Sequence, residues 1–147
     1  MSWLFSYTGR SGLDVLVRYL TKKRDGAVAV RENSFSCETL RFGRATTNEV
    51  ELVSAGVLLH EGVLHLRDQS LFFDADGTGG NISIDGKPQR HGPIEIGSII
   101  GIGPFDVTIL PKAAGYDVVI SVELARPLGD SLEYLRRNST TRIAHVG

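Results

Sequence analysis

Residues able to do chemistry gather in a few short stretches of this sequence, and each stretch implies a different ligand or reaction. Asp74-Ala75-Asp76-Gly77-Thr78-Gly79-Gly80-Asn81-Ile82-Ser83-Ile84-Asp85 offers oxygen ligands at the spacing of a calcium loop, with Gly79 at the sharp turn. Such a loop needs a helix on each side, and residues 70–73 and 87–93 carry no helical pattern. Calcium at Asp74, Asp76 and Asp85, in a loop over 74–85, is therefore kept only as a minor alternative. His60-Glu61-Gly62-Val63-Leu64-His65 suggests zinc, but the metalloprotease pair stands four apart on one helix face. Here the histidines are five apart in a strand-like segment. Between Gly80 and Gly86-Lys87 there is one residue too many for a phosphate loop, and Pro88 replaces the magnesium-binding hydroxyl. No Gly-x-Ser-x-Gly elbow is present, and nothing near Cys37 marks an activated thiolate. The sequence predicts no catalytic residue, no metal and no cofactor.

What remains is Arg44 and its surroundings. In Leu40-Arg41-Phe42-Gly43-Arg44, apolar residues alternate with Arg41 and Gly43; in Asn48-Glu49-Val50-Glu51-Leu52, Val50 and Leu52 alternate with the two glutamates. Period two marks half-buried strands. A guanidinium at a strand end is a natural fork for a phosphate dianion, although an exposed structural arginine would look the same.

The elements that must position Arg44 are short and strand-like. Val15 to Leu20 reads as a strand, Lys22-Lys23-Arg24-Asp25-Gly26 as a turn, and Ala27 to Arg31 as the other half of a hairpin. The basic turn is either a solvated loop tip or a surface for an acidic partner. After a break at Glu32-Asn33-Ser34 come the two stretches around Arg44, then Val63 to Arg67 and Leu71-Phe72-Phe73. Ile82-Ser83-Ile84 leads into Asp85-Gly86, a hairpin signal. Ile94-Glu95-Ile96 and Phe105 to Ile109 follow, separated by a glycine-rich connector from Gly97 to Gly103, and Ile120 to Leu124 closes the series. Frequent turn signals and no helical period before Pro127 predict an all-β sandwich. Beyond it, Asp130 and Glu133 form a capping box with Leu128, Leu132 and Leu135 on one face, which predicts a short C-terminal helix. The expected organisation is an N-terminal arm over 1–12, a sandwich over 13–126, and a short helix with a mobile tail or linker over 127–147.

Composition narrows the function classes. The 147 residues include 41% apolar and 22% charged side chains, ordinary for a globular domain. Sixteen basic against seventeen acidic residues give a net charge of −1, which disfavours a nucleic-acid partner. The single cysteine fits a reducing compartment, the first ten residues lack a signal-peptide pattern, and no apolar run approaches the roughly 20 residues of a membrane span. A cytoplasmic location is expected.

The order Gly43-Arg44, Asn48 to Leu52, His60 and Asp85-Gly86 resembles the forkhead-associated (FHA) domain, across roughly the middle two-thirds of the chain. The resemblance implies an FHA-like β-sandwich whose end loops bind phosphothreonine peptides in signalling, without catalysis. It assigns Arg44 to the phosphopeptide, and Gly43, His60, Asp85 and Gly86 to the loop framework. In the family's Ser-Arg-x-His signature the serine touches phosphate, yet Val57, Leu58 and Leu59 precede His60 here. The family's Ser-x-Asn-Gly-Thr contacts fall on Thr78 and, with a loop one residue shorter, on Asn81. A hydrogen bond to a charged group is worth roughly 1.5–3 kcal/mol, so losing two weakens binding by about a hundredfold to ten-thousandfold. The reading is thus a protein-interaction module with lost or altered phosphothreonine binding, with Arg44, Val57, Leu58, Thr78 and Asn81 as partner-binding residues. Alternatives are conventional phosphothreonine binding by Arg44, Thr78 and Asn81, and self-association through an apolar patch at Val57 and Leu58. FHA modules also head longer bacterial chains, some membrane-anchored, and the polar, basic run from Asn138 to Gly147 fits that arrangement.

Overall fold

The computed structural model describes residues 12–76 and 81–125, which form two mixed β-sheets packed face to face. The strands are β1 (Leu13–Lys22), β2 (Val28–Cys37), β3 (Leu40–Gly43), β4 (Val50–Glu51), β5 (Gly62–Arg67), β6 (Ser70–Ala75), β7 (Ile82–Ile84), β8 (Lys87–Pro88), β9 (His91–Ile94), β10 (Ile99–Ile102), β11 (Phe105–Leu110) and β12 (Val118–Leu124). One sheet has the order β2-β1-β12-β11-β10-β7-β8 and the other β4-β3-β5-β6-β9. Neighbours are antiparallel except β1 with β12 and β3 with β4. No helix occurs among the described residues.

The alternation in the sequence builds the core. Val15 and Val17 of β1, Leu40 and Phe42 of β3, Leu64 of β5, Leu71 and Phe73 of β6, and Ile100 and Ile102 of β10 are all at most 1% exposed. Each pair is two residues apart, so each strand turns one face inward. Phe42 and Phe73 meet edge to face at 6.0 Å between ring centroids, the geometry that aromatic quadrupoles favour.

Turn chemistry fixes the connections. In the β1–β2 hairpin Gly26 has φ of 90°, and the Asp25 carboxylate accepts from Ala27 N at 2.9 Å. Asp85 and Gly86 between β7 and β8 both have positive φ, 52° and 82°, as a tight hairpin requires. Asp85 Oδ1 accepts from Ile99 N at 2.9 Å and so ties this turn to β10.

Three expectations are corrected. β2 continues through Glu32-Asn33-Ser34 to Cys37, because an unbroken register from Leu13↔Cys37 to Lys22↔Val28 holds it whatever its polarity. The connector expected over Gly97 to Gly103 contains β10, whose Ile100 and Ile102 are core residues. Gly101 faces Ser83 across the β10–β7 pair, where a Cβ would strike Ser83 Oγ. The strand expected over Ile94 to Ile96 instead spans His91–Ile94, and Ile96 is exposed. The expected arm up to residue 11, the expected helix and the tail lie outside the described residues.

One end of the sandwich gathers the functional loops. Phe42, Gly62 and Ala75 are aligned there in one sheet, and Ile82, Ile102, Phe105 and Leu124 in the other. The two rows meet where Gly103, which donates to Asn81 O at 3.0 Å, approaches Gly56. Phe73→Ala should remove the aromatic pair and lower unfolding stability by about 3–5 kcal/mol, read as a fall in the urea midpoint with an unchanged slope.

Candidate binding site at the loop end

β3 delivers Gly43 and Arg44 to this end, and the β4–β5 loop is folded down onto them. A Cβ on Gly43 would fall on the Leu59 carbonyl oxygen and come within 2.8 Å of Asn48 Nδ2, so this position tolerates no side chain. Arg44 N donates to Leu58 O at 2.9 Å, and Ala45 N to Leu59 O at 3.2 Å. Asn48, 6% exposed, completes the clamp: its Nδ2 donates to Ala45 O at 3.0 Å and Leu59 O at 2.8 Å. The exposed His60 places Nδ1 3.4 Å from Asn48 Oδ1.

Glu61 holds the loop from beneath. Its Oε2 accepts from Leu58 N at 2.7 Å, and its own backbone joins Phe42 O and Asp76 N, each at 2.8 Å. The residue is 1% exposed, and Oε1 is buried without a hydrogen-bond partner. Burial pushes its carboxyl above the ordinary range, and the Leu58 amide opposes the shift.

The three apolar residues before His60 have separate fates. Val57 is 2% exposed and packs in the core, which corrects its assignment as a partner contact; its carbonyl accepts from Arg44 Nε at 3.0 Å. Leu58 and Leu59 are 42% and 52% exposed, and Val53 in the same loop is 70% exposed. An apolar rim therefore borders Arg44. Arg44 itself is exposed, and its two terminal guanidinium nitrogens have no partner among the described residues.

The remaining candidates divide by position. Asn81 is exposed at the same end, leading into β7, while Asp85 and Gly86 lie at the far end of β7 in their hairpin. Thr78 lies outside the described residues. Residues 77–80 of the calcium pattern lie outside the described residues, among which no group of three His, Cys, Asp or Glu side chains is placed to hold a metal ion. Asp74 sits in β6 between strands rather than helices, and its Oδ2 takes His65 Nε2 at 2.7 Å and Arg67 at 3.6 Å. Its Oδ1 takes His91 Nδ1 at 3.3 Å. Asp85 is occupied by the Ile99 amide. These neighbours lower the Asp74 carboxyl below its ordinary value, led by the His65 hydrogen bond.

The chemistry available at this end is narrow. The amides of Arg44, Ala45, Val57 and Leu58 all point at internal acceptors, Val57 N donating to Ser54 O at 3.1 Å. A backbone nest for an anion is absent from these four residues. Beside these amides, the exposed Arg44 guanidinium and the Leu58–Leu59 rim face solvent.

Because the folded protein holds the Glu61 proton more tightly than the unfolded chain does, stability should fall as pH rises out of the ordinary carboxyl range through the raised value. Glu61→Gln keeps an acceptor for Leu58 N but cannot ionise. Thermal midpoints of the variant should stay flat over that window and exceed wild type at neutral pH; parallel curves would contradict this account of Glu61.

No protein-family model matches the sequence, and no curated protein matches it. Among solved structures, the chain is similar to one from a structural and functional analysis of phosphothreonine-dependent FHA domain interactions. That likeness has a TM-score of 0.52 at 13% identity and covers 69% of this chain and 98% of the other. It is also similar to the FHA-2 domain of a Mycobacterium tuberculosis ABC transporter, with a TM-score of 0.48 at 16% identity over 62% of this chain and 76% of that one. An FHA domain from an Arabidopsis thaliana hypothetical protein gives 0.44 at 16% identity, over 83% and 97%. With its two mixed sheets and this loop end, the chain has the FHA fold.

Proposed function

We propose that the chain is a non-catalytic protein-interaction module that meets its partner at the loop end, with phosphothreonine recognition lost or altered. One observation carries this reading. The amides of Arg44, Ala45, Val57 and Leu58 are bonded internally, so the β4–β5 loop offers an anion the Arg44 guanidinium rather than those amides. The FHA fold supports the interaction role, and one solved neighbour is described through phosphothreonine-dependent interactions. Leucine at position 58 offers a phosphate no side-chain donor, and Val57 is buried. The absence of two such bonds lowers affinity by about 3–6 kcal/mol, which takes a micromolar complex to about millimolar or weaker. The partner is thus a protein segment held by one guanidinium and the Leu58–Leu59 rim. A cytoplasmic setting, with Cys37 reduced, belongs to the same proposal.

A second reading has its own support: Val53, Leu58 and Leu59, exposed together in one loop, suit self-association without phosphate. Titration with a degenerate phosphothreonine peptide pool should give no heat at tens of micromolar protein. Micromolar binding that disappears in Arg44→Ala would instead establish conventional recognition by Arg44, Thr78 and Asn81. Light scattering of wild type and Leu58→Asp tests the second reading, and monomers in both samples would reject it.

A further inference from the structure

The loop end holds a second cationic feature outside the site just described. β1 is parallel to β12, and the two leave the sheet together at this end, with Leu20 opposite Glu123 and Leu124 opposite Phe105. β1 then continues beyond β12, paired only with β2 as far as Lys22↔Val28. The turn is closed by Lys23 N to Ala27 O at 2.7 Å and Gly26 N to Lys23 O at 3.0 Å, so it is built rather than loose. At about 3.3 Å per residue the tip overhangs the sheet by about 10 Å.

The overhang is basic. From Arg18 to Glu32 the hairpin carries Arg18, Lys22, Lys23, Arg24 and Arg31 against Asp25 and Glu32, in a chain whose net charge is −1. Arg18 is paired with Glu32 at 2.8 Å, and Arg31 stacks over Tyr19 at 4.3 Å. Lys22, Lys23 and Arg24 are exposed and have no ion pair among the described residues. Asp25 turns its carboxylate to Ala27 N. The acids nearest in register, Glu123 opposite Leu20 and Glu51 beside Tyr19, stand at the hairpin's root rather than its tip.

The same root fixes where the tip lies relative to Arg44. Tyr19 on β1 packs against the core within electrostatic range of Glu51 on β4, which puts β4 on the side of the second sheet nearest β1, with β3 and the Arg44 that follows it next in order. One strand spacing and one sheet spacing separate the two cationic features, on the order of 15 Å. An extended peptide covers that span in about five residues.

Resting on the reading of this end as a partner site, we propose that its partner is an acidic extended peptide, lying from Arg44 and the Leu58–Leu59 rim to the Lys22-Lys23-Arg24 tip. Anion recognition has moved outward: carboxylates at the hairpin take the place of a phosphate in a closed pocket. Exposed cations on a turn whose backbone is closed, and on one side of the path, give such a peptide both attraction and register. Val28 and Val30, 58% and 55% exposed on the same hairpin, add apolar contact beside them.

Fluorescence anisotropy on the full chain tests this with three labelled ten-residue peptides: one rich in Asp and Glu with interspersed Leu, its Asn/Gln isostere, and a neutral peptide bearing one phosphothreonine. The acidic peptide should bind at least tenfold tighter than the isostere and weaken steeply with salt. The combined variant Lys22→Ser, Lys23→Ser, Arg24→Ser should lose at least tenfold, and Arg44→Ala severalfold, while Arg67→Ser on the outer face of the other sheet changes nothing. Equal binding of acidic peptide and isostere, or an unaffected hairpin variant, overturns the proposal while leaving the loop-end site standing. Loss in the hairpin variant with no effect of Arg44→Ala and Leu58→Asp overturns the bridging path and the loop-end site together. Preference for vesicles of 30% phosphatidylserine in phosphatidylcholine over every peptide assigns the tip to a membrane and also overturns it.

Discussion

Two consecutive amides, those of Arg44 and Ala45, donate to two consecutive carbonyls, those of Leu58 and Leu59, and this short ladder shapes the loop end. It forms only because Gly43 carries no side chain where Leu59 O lies. Asn48 grips the ladder from one side and the Glu61 carboxyl takes the Leu58 amide from below. With these amides committed, Arg44, Leu58 and Leu59 present side chains at this end. Burying Val57 within it contributes roughly 1.5–3 kcal/mol of apolar stabilisation, which offsets part of the cost of enclosing a carboxyl with one unpartnered oxygen.

On the proposed reading, that balance is what sets this end apart from a phosphate cradle. A cradle leaves donors pointing outward and must be held open against their own tendency to pair. Here the amides of Arg44, Ala45, Val57 and Leu58 have paired, and the side chains of Leu58, Leu59 and Arg44 are exposed around them. The loop contributes Val57 to the core, but most of the core comes from the strands. β3, β5, β6 and β10 bury Phe42, Leu64, Phe73 and Ile102 whatever the loop presents. Most of the core is therefore independent of the side chains the loop exposes, which the proposed role of the β1–β2 hairpin in recognition requires.

The sandwich was legible because inward residues two apart leave a period-two trace, as in Leu40 and Phe42. β10 was hidden because Gly101 and the flanking glycines read as a connector, although Ile100 and Ile102 keep the alternation. β2 was cut short because an edge strand needs no inward polarity once its neighbour supplies the register. At the site, Arg44 and its Gly43 could be found from order alone. The separate fates of Val57 and Leu58 could not, since three apolar residues in a row carry no period. Asn48 stood in view as a strand boundary, and its role depends on carbonyls eleven residues away in Leu59. Glu61 carries no sequence signal of its own, standing inside a histidine spacing that resembles a zinc motif. Asp74 misled in the opposite sense, because the partners that occupy it, His65 and His91, come from neighbouring strands and leave no linear signature.

The closed ladder is most directly read by amide hydrogen exchange, residue by residue, in the free protein. Closure requires the amides of Arg44, Ala45 and Leu58 to be protected to a degree approaching that of Phe42 and Leu64 in the sheet. Exchange of those three amides at the rate of an open loop, with the β3 and β5 amides still protected, would mean that the donors are free to meet a phosphate, and the account of this end would be wrong.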